Sequence, residues 1–171
     1  MSKILCGSAC VKYILDYYNI YNKINLNMKW VPELALALEE NGFNIKIFCY
    51  KSKLYNDYFL LNNEDVIAFK YIAKLEEKTK IKEKKLDVDE LKKEVSKYGF
   101  IVLCVDSKIF NTDINMHGGH YIILNGFLCD KIKVINPTKK GYDYMALDAL
   151  FLVQCCHEYG NWRILIGGYN D

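Results

Sequence analysis

The stretch GGHYIILNGFLCDKIKVINP, residues 118–137, reads as a β-hairpin. HYIILNGFL (120–128) and KIKVINP (131–137) are mostly apolar and β-rich, and Leu128-Cys129-Asp130 supplies the connection between them. Such a hairpin places Asn136 beside His120. The amide oxygen of Asn136 can then accept from one ring nitrogen, leaving the other to exchange a proton with a third group. Two glycines before His120 give that ring close access at the mouth of an apolar strand.

Outward from the hairpin, FIVLCVD (100–106) and RILIGGY (163–169) are further strand-like runs, and ALDALFLVQCC (146–156) reads as a helix between the last two strands. The first half has helical spacing. From Gly7 to about Asn19, Ala9, Cys10, Tyr13, Ile14, Tyr17 and Tyr18 form one stripe. A second helix is expected from Val31 to Asn41: Pro32 suits its first turn, Leu34, Ala35 and Leu38 line one face, and Asn41-Gly42 stops it. FNIKIFCY (43–50) alternates as a half-buried strand does. Residues 53–61 and 63–77 read as helical or irregular. The charged tract that follows reads as a solvated face, and its second half, Asp87 to Tyr98, as a helix with Asp87 at the N-cap and Gly99 after its end. Helices first and strands afterwards indicate an α+β fold, in one domain over residues 1–171.

Bulk properties narrow the classes. Net charge is +2, so no basic face advertises nucleic acid. Met1 to Leu5 gives way to Cys and Gly before a secretory core region forms, and no apolar run approaches the roughly 20 residues that span a bilayer. The expectation is a cytoplasmic protein without a membrane segment. Seven cysteines (6, 10, 49, 104, 129, 155 and 156) include no C-x-x-C pair, which argues against structural zinc. Cys49, Cys104 and Cys129, in or beside strand-like runs, are expected to be small core residues. No G-x-x-x-x-G-K or G-x-G-x-x-G run cradles a phosphate, and no cofactor is called for.

Cys6 stands apart from the other thiols. It opens the first helix, where backbone N–H groups favour a thiolate and a developing oxyanion. Alone it would read as a buried small residue. His120 as base and Asn136 as orienting group make a nucleophile the better reading. Cys10, one turn later on the same face, reads as core, with a lesser option as a resolving thiol. His117 reads as a loop residue, Asp106 and Ser107 as support for the site or a plain turn, Cys155-Cys156-His157 as a helix end, and Trp30 and Trp162 as packing residues.

The segments LCGSACVKYILDYY, FIVLCVDS, GGHYIILNGF and VINPT, in this order, resemble those of the bacteriocin-processing, double-glycine leader peptidases. The likeness extends to a branch with a second cysteine after Cys-Gly-x-Ala that has been labelled guanylyl-cyclase-like. The resemblance implies a papain-like cysteine peptidase fold, N-terminal helices packed on a mainly antiparallel C-terminal sheet. It implies Cys6 as nucleophile, His120 as base and Asn136 as orienter, where many relatives carry Asp, acting on a peptide or protein substrate. It also implies an oxyanion-hole glutamine six residues before the nucleophile; that position falls before Met1, and Met1 to Leu5 hold no glutamine. The first expectation is a cysteine hydrolase, foremost a peptidase, acting through an acyl-enzyme. The missing glutamine favours, as the alternative, a peptide-binding module with turnover lost, and the shared acyl-enzyme step admits an acyl transferase or deamidase as a further one.

Overall fold

Gly7, Cys10, Val11, Ile14 and Leu15 recur at three- and four-residue spacing and are all buried, which seats helix α1 (Cys6–Tyr17) against a sheet. The computed structural model describes residues 4–28, 31–49, 81–84, 86–106, 119–138, 143–146 and 163–169. Helix α2 (Val31–Glu40) buries Leu34, Ala35 and Leu38, as its spacing predicts. It stops where Asn41 Nδ2 donates to Ala37 O at 2.6 Å and Gly42 turns the chain at φ 87°.

Strand β1 (Phe43–Cys49) follows, then a short β2 (Ile81–Glu83) and helix α3 (Val88–Tyr98). The start of α3 is a reciprocal cap. Glu90 N–H donates to Asp87 Oδ1 at 2.8 Å, and Asp87 N–H donates to Glu90 Oε2 at 3.3 Å. Its end is Gly99, at φ 79°, whose N–H donates to Val95 O. Strands β3 (Phe100–Asp106), β4 (Gly119–Leu128), β5 (Lys131–Ile135), β6 (Asp143–Ala146) and β7 (Arg163–Tyr169) complete the elements.

Among the described residues, seven strands join one sheet in the order β2-β1-β7-β3-β4-β5-β6, antiparallel except for the parallel β1/β2 pair. Alternation along β3 divides the core. Phe100, Val102 and Cys104 face the cluster built with α1 and α2, while Ile101, Leu103 and Val105 face the cluster built with α3. Helices on both faces explain why these strands are almost uninterruptedly apolar in sequence. The architecture is α+β.

The hairpin forms as read from the sequence, with β4 and β5 joined by Cys129-Asp130. Its register shifts between Leu124 and Phe127, where Gly126 adopts φ 70° and supplies the bulge. Cys129 is a correction. It is exposed in the turn at φ 52°, so the loop geometry and not the apolar neighbourhood decides its place. Cys104 is buried as expected.

The division into a helical first half and a sheet-forming second half holds only in part. β1 and β2 come from the first half, and β7, from the end of the chain, lies between β1 and β3. β2 and β6 were not anticipated, and Ala146, read as the start of a helix, ends β6. The readings of residues 53–61, 63–77 and the rest of 146–156 lie outside the described residues, as do those of Trp30, Ser107, His117, Cys155, Cys156, His157 and Trp162, and the side chains of Cys49 and Asp106. Among the described residues no helix is long and apolar enough to cross a membrane.

Candidate active site

Three independent contacts hold the start of α1. Leu5 N–H donates to Leu26 O at 3.2 Å, Met28 N–H donates to the buried Ser8 Oγ at 2.8 Å, and Gly7 lies hard against Met28. Leu5, at the N-cap, provides no side-chain acceptor, and the first turn contains no acidic residue. The positive end of the helix is therefore left to the sulfur of Cys6.

Gly7 has a steric reason beyond exposing N–H groups. A Cβ there would stand 2.9 Å from Met28 O and 3.1 Å from Leu34 Cδ2. The first obstacle is backbone and does not move cheaply, so overpacking of about 1–3 kcal/mol exceeds the helix-propensity gain of about 1 kcal/mol at most. Gly7→Ala is expected to lower Tm by about 2–6 °C in a thermal melt. An unchanged or raised Tm would mean that the 26–28 segment yields freely.

The sheet brings the partner groups to the same place. His120 is the second residue of β4, and Asn136 follows directly after β5, so the hairpin sets both at one end of the sheet. His120 Nε2 lies 3.0 Å from Asn136 Oδ1. That leaves Nδ1 for Cys6, which is hydrogen-bonded to the His120 side chain. Asn136 is buried at 7% exposure, whereas Cys6 and His120 are half-buried. The three residues picked out of the sequence thus meet as one chain of hydrogen bonds.

Electrostatics separates three thiols sharply. Burial alone would push Cys6 up. The bond from His120, the Tyr121 N–H, the imidazole charge and the Gly7 N–H together outweigh it and hold the thiol below its ordinary value of 9.0. Cys10, one turn further along α1, is pushed well above that value by burial and by the nearby sulfurs of Cys6 and Cys104. Cys104 is pushed up to about 12 by burial and by Cys6, against the opposing effect of the His120 backbone N–H. Cys10 is thereby a core residue, as its helical position indicated.

Two contributors were not picked out of the sequence. The Tyr121 backbone N–H donates to Cys6, and no side-chain pattern announces a main-chain donor. Thr138 donates twice to Asn136 Oδ1, from its N–H at 3.2 Å and from Oγ1 at 2.8 Å. The tripeptide Asn136-Pro137-Thr138 carries that signal, since an Asn oxygen accepting from the N–H two residues on is an Asx-turn. No family model and no curated protein matches the chain.

Proposed function

We propose that the protein is a cysteine hydrolase of papain-like fold that cleaves a peptide or other amide bond through an acyl-enzyme. The observation that carries this reading is the hydrogen-bonded sequence Cys6–His120–Asn136, begun at an uncapped helix N-terminus. A depressed thiol next to an imidazole held by an amide oxygen is the arrangement that nucleophilic acyl transfer needs.

In the reaction the Cys6 thiolate attacks the carbonyl carbon, forming a C–S bond as the carbonyl π electrons move to oxygen. The Cys6 backbone N–H, at the start of α1, contributes to holding that oxyanion. Collapse breaks the C–N bond, and His120 delivers the proton from Nδ1 to the departing amine. Water then attacks the thioester with His120 as base, releasing the acid and regenerating the thiol. Asn136 holds Nε2–H throughout.

A p-nitrophenyl ester tests the first half of this cycle without knowledge of the natural substrate. The expected result is a burst approaching one equivalent of nitrophenolate, an acyl group mapped by mass to Cys6, and no burst from Cys6→Ala. Acylation no faster at Cys6 than at exposed Cys129 would reject the hydrolase and leave a peptide-binding module. Transfer of the acyl group to an added amine in preference to water would assign an acyl transferase instead.

A further inference from the structure

Asn136 Oδ1 accepts from more groups than a simple orienting residue requires. His120 Nε2 stands at 3.0 Å, Thr138 N–H at 3.2 Å and Thr138 Oγ1 at 2.8 Å. The backbone N–H of Thr138 can only donate, which settles which end of the amide faces it. Were the amide reversed, Nδ2 would confront that N–H, donor against donor. With oxygen in place, the His120 nitrogen facing it must carry a proton, so Nδ1 is the nitrogen that trades protons with Cys6. The tautomer of the base is therefore set two residues beyond the residue that touches it.

We infer that Thr138 is a positioning residue, whose hydroxyl and backbone N–H fix Asn136 Oδ1 toward His120 and so keep the proton-accepting Nδ1 turned to Cys6. The inference rests on the reading of Cys6 and His120 as a nucleophile–base pair. The hydroxyl is the part of this clamp that mutation can remove alone. Thr138 is exposed, so its replacement by Val leaves shape and core packing in place. Its action runs through Asn136 and not through contact with the reacting atoms.

The test is site-resolved alkylation of the full chain by iodoacetamide, reading Cys6 by peptide mass with exposed Cys129 as reference, across a pH series. Thr138→Val and Thr138→Ala are each expected to slow Cys6 labelling about 3- to 10-fold at neutral pH, the scale of one neutral hydrogen bond, and to move its midpoint upward. Thr138→Ser, which keeps the hydroxyl, is expected to stay within about twofold of the parent protein. In an Asn136→Ala background the Thr138→Val effect should vanish, since the route is gone. A Thr138→Val rate within about twofold of the parent, or an equal loss with and without Asn136, would overturn the inference. His120→Ala in the same series keeps the two readings apart. If it slows Cys6 while Thr138→Val does not, only Thr138 loses its role; if neither matters, the nucleophile–base pair itself falls.

Discussion

His120→Ala is expected to lower Cys6-dependent acyl turnover by about 10²–10⁴-fold, the range that a positioned acid–base group contributes. The same change should move the pH at which Cys6 becomes reactive. In the folded protein burial raises the Cys6 pKa, and the His120 bond, the Tyr121 N–H, the imidazole charge and the Gly7 N–H lower it, with a net depression below 9.0. Removing His120 deletes two of the lowering contributions and leaves burial opposed only by backbone N–H groups. The sign is an upward shift. A depressed pKa means that thiolate is present at lower pH, so the parent protein should be alkylated at Cys6 at lower pH than an ordinary thiol, and His120→Ala should need more alkaline solution. At pH 7 the expected loss in labelling rate is at least about tenfold. Exposed Cys129 should label equally in both proteins. If the Cys6 profile is identical with and without His120, the imidazole does not govern the thiol and the proposed chemistry has no base.

The parts of this site that sequence revealed are those written as side chains in short order. Cys-Gly at a helix start, Gly-Gly-His at a strand mouth and Asn-Pro at the end of the paired strand are each local, and the tight β4–β5 connection turns the last two into neighbours. Helix α3 was equally legible, because the Asp87 cap, the Gly99 stop and the four-residue spacing of Leu91 and Val95 are all written within one short stretch. Long-range pairing was not. Nothing in RILIGGY says that β7 lies between β1 and β3, a placement decided by non-local pairing. Short edge strands such as β2 and β6, three and four residues long, hold too few positions for a period to appear. Cys129 illustrates the reverse failure, since an apolar neighbourhood in sequence is a tight turn in space.

Phe100→Ala is expected to cost about 3–5 kcal/mol, a substantial share of the 5–15 kcal/mol that holds a typical domain together. Phe100 is almost wholly buried at the start of β3, inside the cluster that contains Cys10 and Cys104. It meets Tyr17 edge-on with ring centroids 5.0 Å apart, and Tyr18 at 6.0 Å, while Tyr18 meets Phe43 at 5.2 Å. These rings fasten the C-terminal end of α1 to the sheet, whereas Gly7, Ser8 and Leu5 fasten the end that carries Cys6. Truncating Phe100 should therefore loosen the helix without touching the site. The buried thiols report that opening. Cys10 and Cys104 react only when the structure opens, so their labelling should accelerate by about two to four orders of magnitude. On the proposed chemistry half-buried Cys6 reacts in the folded state, so it should label at nearly its original rate. Such a split would separate the two jobs of α1: its first turn makes a thiolate, and its last turn keeps the helix where that thiolate meets His120. Unchanged labelling of Cys10 and Cys104 would show that α1 is held without the aromatic group. Slowed labelling of Cys6 would show that its seat depends on both ends of the helix at once.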